Sequence, residues 1–336
     1  MTEAQSKGEK KTLLIILIIL VLALTASNVI TYISLQDAHQ QYNILQSNYS
    51  ALKSNYNELS NSYSSLKSDY NKLSQDYQSL QLQYSSLQSN YYTLSSYYKG
   101  LSQNVLSLND LLLSYAFLPQ AFSRTLNEEA VNEVSSTVYS VTGGSTSSWE
   151  GYQEIFNYIV SNVKYVNDID MPYISSYSHV NIDRFDYVIS FETSTVRNYV
   201  QTPKLTLEIK QGDCEDQAIL AYAMMKYYLK HIIGNEYVLY IALIDFSDGQ
   251  AHVAVFLPVQ GGQVCIIDPA GSYLTETVWG TITSKPAQQE LQAYNIWLSH
   301  GSISRITLYD VSVIDGSYKV VAEGDLNQII AFLSQS

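Results

Sequence analysis

Gly212-Asp213-Cys214-Glu215-Asp216-Gln217-Ala218 leads directly into an apolar helical run. Ala218, Ile219, Leu220, Ala223, Met224, Tyr227 and Tyr228 follow with helical spacing and give the run a small, apolar face. The spacing predicts a helix from 214 to about 231, with Asp213 as N-cap and Gly234 as its stop. Downstream, 237–244, 251–257 and 264–267 read as strands, separated by Ser247-Asp248-Gly249 and Gly261-Gly262 turns. Residues 304–314 read as a further strand and 324–334 as a closing helix. Upstream, Ser147-Ser148 can cap a helix over 149–163, whose Tyr152, Ile155, Phe156, Ile159 and Val160 share one face. Residues 165–200 read as irregular and aromatic-rich, a segment expected to wrap over the domain. A run of helix before a mostly antiparallel sheet predicts an α+β fold.

A cysteine at a helix start, a histidine and an aspartate are the parts of a thiol acyl-transfer site. The thiolate is the nucleophile, and a cysteine needs help to form it at neutral pH. The positive end of a helix dipole supplies some help, and an imidazolium supplies more. Cys214 meets the first condition by position. His252 on the second strand can meet the second, and Asp268 can orient the other ring nitrogen. The helix-start N–H groups would form half of an oxyanion hole. Each residue alone has a plainer reading: Cys214 as small apolar filling, His252 as a satisfied core histidine, Asp268 before Pro269 as a turn former. Glu215 and Asp216 read as first-turn acids favouring the helix dipole, poor neighbours for a thiolate unless they point away.

Together these segments resemble the transglutaminase-like superfamily of cysteine enzymes, which has a papain-like core. The segment Gln201-Thr202-Pro203, Thr206-Leu207 and Gly212 to Ala218 is similar to that family's nucleophile motif. Ala251-His252-Val253-Ala254-Val255 resembles its histidine strand, and Ile267-Asp268-Pro269 its aspartate strand. The approach Trp149, Val163-Lys164-Tyr165-Val166 and Asp168 also resembles the family's, so the resemblance covers roughly 150–275. It implies a Cys-bearing helix packed on an antiparallel sheet, with Cys214 as nucleophile, His252 as general base and acid, and Asp268 as the orienting carboxylate. Gln201 is the implied oxyanion donor. The family often has a tryptophan where this chain has Tyr199.

The rest of the chain reads as delivery apparatus. Leu13–Leu24 is unbroken apolar sequence, and with its milder continuation it is long enough to span a bilayer. Lys7, Lys10 and Lys11 precede it, which predicts a cytoplasmic tail over 1–11, a transmembrane anchor over 12–34 and everything beyond outside the cell. A cleaved signal peptide with its apolar region at 13–24 is the rival reading, and it exports the same domain.

Tyrosine recurs every seventh residue from Tyr42 to Tyr98, and leucine every seventh from Leu45 to Leu101. These Tyr-x-x-Leu-x-x-x heptads predict a coiled-coil stalk over 36–108 and a parallel homo-oligomer. The e and g positions are mostly Ser, Asn and Gln, so charge does not set the pairing. The sequon Asn48-Tyr49-Ser50 lies on the stalk. A neck over 109–146 and the transglutaminase-like domain over 147–336 complete the expected division.

Residues 109–336 hold 11 Lys and Arg against 25 Asp and Glu, which argues against nucleic acid as a partner. The five histidines are scattered without ligand spacing, so neither a metal nor another cofactor is expected. Cys214 and Cys265 could form one bridge in an oxidising compartment, which would cap the nucleophile. The expected function is a membrane-anchored, extracytoplasmic thiol enzyme that acts on amide or peptide bonds of surface proteins, as protease, amidase or transpeptidase. The alternative is a catalytically silent binding or structural module displayed on the stalk.

Overall fold

The structure is a computed structural model that describes residues 3–335. Met1 and Thr2 of the expected cytoplasmic tail, and Ser336, lie outside the described residues. The chain divides into two units, 1–94 and 95–336.

The first unit is helical. Helix α1 (Glu3–Ala116) begins there and contains the apolar segment, which is long and apolar enough to cross a membrane by length and composition. No proline interrupts the chain before Pro119, so the helix propagates without a break. The heptad tyrosines and leucines of this unit, Tyr42 and Leu45 to Tyr91 and Leu94, stay exposed along one stripe. Gly100 ends the strict sequence pattern without ending the helix, since a single glycine costs only about 1 kcal/mol in a helix interior.

In the second unit, α2 (Phe122–Thr125), α3 (Glu128–Asn132) and α4 (Ser135–Thr142) follow α1. Phe122, Leu126, Val131, Val134 and Val138 enter the main core, so part of the segment expected as a neck belongs to the globule. Helix α5 (Ser148–Asn162) is capped by Ser147, whose hydroxyl accepts from the Glu150 N–H. Its Gly151 lies directly against the Tyr228 ring, where a Cβ would collide.

Strand β1 (Lys164–Tyr165) comes next, then a long hairpin, β2 (Asp170–Ile182) and β3 (Phe185–Arg197). This corrects the irregular segment expected over 165–200. Both faces of the hairpin are largely exposed, so its sequence lacks the apolar alternation that marks a half-buried strand. Asp183 and Arg184 close the turn at positive φ. The hairpin docks on α1 through polar contacts at a spacing of seven. Ser95 Oγ meets Tyr187 Oη at 2.9 Å, Ser102 Oγ accepts from the Val188 N–H, and Asn109 Oδ1 accepts from the Ile174 N–H.

Thr202 caps α6 (Pro203–Ile209), and β4 (Gln211–Gly212) pairs in parallel with β1. Helix α7 (Cys214–Tyr228) then starts as the sequence predicts. It ends in one wide π turn, Leu229–Ile233, closed by Gly234 in the left-handed region. The remaining strands are β5 (Tyr240–Phe246), β6 (Ala251–Val259), β7 (Gln263–Asp268), β8 (Tyr273–Leu274), β9 (Lys285–Pro286), β10 (Ile303–Val311) and β11 (Tyr318–Gly324). Helix α8 (Ala287–Leu298) and helix α9 (Leu326–Leu333) complete the domain.

The sheet runs β11-β10-β5-β6-β7-β8, with β9 also on β7, and every pair in it is antiparallel. Alternate residues serve opposite faces. Val253, Val255, Leu257, Cys265 and Ile267 pack with α7 and the short helices. Ala254, Phe256, Val264 and Ile266 pack with Leu291 and Tyr294 of α8 and with Ile329 and Leu333 of α9. This is the α+β core expected from sequence, with helices on both faces of the sheet.

Candidate active site

The ladder between β6 and β7 stops at Val255 and Ile267. His252 and Asp268 lie just past that pair, His252 still opposite Ile244 of β5 and Asp268 opposite Tyr273 of β8. His252 Nε2 lies 2.8 Å from Asp268 Oδ2, and both side chains are buried. Asp268 Oδ1 accepts from the Gly271 N–H at 2.8 Å, and Oδ2 also accepts from the Tyr294 hydroxyl at 2.8 Å. A carboxylate that already takes two other donors makes His252 Nε2 the third, so Nδ1 of the neutral ring is left as the free acceptor. A residue bearing a Cβ does not fit at 271, because that atom would overlap the Asp268 carboxylate.

Cys214 is the first residue of α7 and is only 8 % exposed. The N–H of Val253, the residue after His252, faces the sulfur and favours its thiolate form. The Cys214 sulfur therefore lies beside β6, the strand that carries His252, and His252 in turn is bonded to Asp268. Sγ itself donates to Glu215 Oε2 at 3.3 Å, and Cys214 has no hydrogen bond to the imidazole among the described residues. The thiol is pushed well above its ordinary range, first by burial and then by Glu215 and Asp213. The helix start is thus not sufficient help for the thiolate: withdrawal from water and two carboxyls outweigh the dipole.

The acids are the feature that the sequence reading underrated. Asp216 is turned inward, accepting the Gln201 N–H at 2.7 Å and the Asp213 N–H at 3.3 Å. Burial still raises it to about 8, with Asp213 and Asp168 as further like charges. Burial is also the first cause for Glu215, which is pushed well above the carboxylate range, and for Asp213, which is raised. Asp168, which accepts from the Tyr199 N–H, is raised to about 6 by burial, with Asp213 adding to the effect. Among the described residues, Asp213 Oδ1 and Glu215 Oε1 are buried without a hydrogen-bond partner. Donor atoms of Asp213, Cys214 and Glu215 lie within 4.8 Å of one another, and so do those of Asp168, Asp213 and Asp216. Orphaned carboxylate oxygens at that spacing fit a hard divalent cation, which takes oxygen ligands. The absence of histidine spacing said nothing about such a site.

Gln201 is buried beside this cluster. Its backbone N–H goes to Asp216, and its side-chain carbonyl accepts from Thr206 Oγ1 at 3.3 Å, which leaves the amide NH2 as the available donor. Tyr165 belongs to the same place: burial first, then Cys214, Asp213 and Glu215, push its hydroxyl up. Tyr294 was missed from sequence because 287–298 was not read as a helix. Ala287, Leu291 and Tyr294 at i, i+4 and i+7 carried that signal. Both cysteines are free, Cys214 on α7 and Cys265 inside β7, so no bridge caps the candidate nucleophile.

Residues 129–295 match a family model described as a transglutaminase-like domain. No curated protein matches the chain. Among solved structures, EGTA-treated LapG of Legionella pneumophila is 16% identical, with a TM-score of 0.27, 55% of this chain covered and 79% of that one. A second structure of Legionella pneumophila LapG is 13% identical, with a TM-score of 0.29, covering 69% and 96%. A candidate cysteine protease from Cytophaga hutchinsonii is 12% identical, with a TM-score of 0.28, covering 60% and 53%. The family model spans α3 to α8, and so includes Cys214, His252 and Asp268. Over residues 129–295 the chain is similar to transglutaminase-like domains.

Proposed function

We propose that this domain is a cysteine enzyme that transfers acyl groups from amide or peptide bonds. The observation that carries this reading is the buried His252–Asp268 pair, one residue from the Val253 N–H that faces Cys214 at a helix start. Cys214 Sγ attacks the amide carbonyl and gives its proton to His252 Nδ1. His252 returns that proton to the departing amine as the C–N bond breaks. Water then releases the acid, or a second amine forms a new amide, and Cys214 is restored. Gln201 and the first N–H groups of α7 stabilise the oxyanion. The apolar run anchors the chain in a membrane with the domain outside, the heptads join copies in parallel, and the substrate is protein or peptide at that surface.

The test is acylation of the full-length protein in detergent micelles by p-nitrophenyl acetate. A burst of p-nitrophenolate equal to the enzyme, absent in Cys214→Ser, supports the reading. A wild type that behaves like Cys214→Ser rejects it.

A second reading, a silent binding module on the stalk, is favoured by one observation. The thiol is buried and hydrogen-bonded to Glu215 rather than to the imidazole. On that reading, Cys214→Ser leaves every activity of the protein intact.

A further inference from the structure

Helix α8 touches the segment that follows β7 at three points, through residues on one helical face. Glu290 Oε1 accepts from the hydroxyls of Tyr273 and Thr275, both at 2.6 Å. Tyr294 donates to Asp268 Oδ2 at 2.8 Å. Trp297 Nε1 donates to the carbonyl of Gly271 at 2.9 Å, and the Gly271 N–H is itself bonded to Asp268 Oδ1. Positions 290, 294 and 297 fall at i, i+4 and i+7, so one rigid face of α8 holds 268–275 in place. The Tyr294 ring is 1 % exposed and packed between Tyr273 and Phe256, which fixes the direction of its hydroxyl.

We propose that Tyr294 is a positioning residue for the reaction: through Asp268 it holds the His252 ring in the orientation that presents Nδ1 to the Cys214 thiol. This rests on the acyl-transfer reading above. Asp268 has two carboxylate oxygens and a free χ2 torsion, so a bond to His252 alone leaves it able to rotate. The Tyr294 hydroxyl and the Gly271 N–H bind opposite ends of the carboxylate and remove that freedom. Tyr294 acts through Asp268, so its loss alters the reaction step and leaves binding untouched.

The test compares Tyr294→Phe with Tyr222→Phe in full-length protein. Tyr222 is an equally buried tyrosine whose hydroxyl bonds the Val311 carbonyl, remote from the histidine. Tyr294→Phe should slow the burst-phase rate constant of p-nitrophenyl acetate acylation about tenfold, with the ester concentration that half-saturates the burst unchanged, the size of one lost hydrogen bond to a charged group. Tyr222→Phe should lower the thermal midpoint and leave the acylation constants alone. In nitrogen-15 histidine NMR spectra, the His252 Nε2–H signal, identified by its loss in His252→Ala, should move in Tyr294→Phe only. Equal rates in Tyr294→Phe and wild type with an unmoved signal overturn the assignment, and so does an equal loss of rate in both variants. If the wild type is not acylated at all, the enzyme reading fails, and the NMR signal alone decides whether Tyr294 positions His252.

Discussion

His252 Nε2 reaches Asp268 Oδ2 just past the last β6–β7 pair, Val255 and Ile267. Both residues stay in their strands, His252 opposite Ile244 of β5 and Asp268 opposite Tyr273 of β8, which fixes the two backbones the bond joins. His252→Ala and Asp268→Asn should each lower the acylation rate of Cys214, roughly 10²–10⁴-fold for the loss of a positioned base. Stopped-flow release of p-nitrophenolate measures this. A loss smaller than fivefold in both variants would contradict the assigned roles.

Gly271 is the hinge of that carboxylate. Gly271→Ala puts a methyl group onto the Asp268 oxygens and forces the side chain to turn. Acylation should fall by at least tenfold, while unfolding costs at most about 1–3 kcal/mol, the usual range for overpacking. Denaturant unfolding and acylation measured on one preparation separate the two effects.

The acids around Cys214 make stability depend on pH in an unusual direction. Asp216 at about 8 and Asp168 at about 6 are raised by burial, and burial also pushes Glu215 well above the carboxylate range. A raised folded-state pKa means that the folded protein keeps protons that the unfolded chain releases near pH 4. The stability they contribute is full in acid and falls as pH rises from about 4 through about 8. Thermal midpoints of the metal-free protein should decline across that window. Glu215→Gln should flatten the decline. A midpoint that rises steadily from pH 4 to 8 would contradict this account.

The same orphaned oxygens predict a response to a hard divalent cation. Millimolar calcium chloride should raise the thermal midpoint, because an ion that binds only the folded state stabilises it by mass action. The double variant Asp213→Asn, Glu215→Gln should lose the response, and excess chelator should reverse it. An equal response in the double variant would place any bound ion elsewhere.

The heptad stripe should join copies. Full-length protein in micelles should sediment as a single oligomer, and Leu66→Asp with Leu73→Asp should return it to a monomer. Sedimentation at several protein concentrations reads this out. A wild-type monomer would contradict the stalk assignment.

The sequence made α5 legible because its one buried face writes a period of 3.6 into the residues, while α7 and the β5–β7 strands, buried nearly all round, were legible as apolar runs bounded by a cap and by glycine turns. It also marked Cys214, His252 and Asp268, since those residue types recur at short intervals on adjacent elements. The β2–β3 hairpin was not legible, because strands exposed on both faces need no apolar alternation. The membership of α2 to α4 in the core escaped notice because Phe122 and Val131 lie in helices too short to show a period, and Leu126 lies between them. The raised thiol was also hidden. Only burial turns Glu215 and Asp213 into opponents of the thiolate, and only folding brings Asp168, remote in sequence, to Asp213 and Asp216.

The most direct test of the central claim is the burst of p-nitrophenolate from full-length protein, with Cys214→Ser and His252→Ala beside it. A stoichiometric burst in the wild type, slowed at least a hundredfold in His252→Ala and absent in Cys214→Ser, is the predicted result. A wild type that gives no burst under any pH between 5 and 9, with or without calcium, would contradict it.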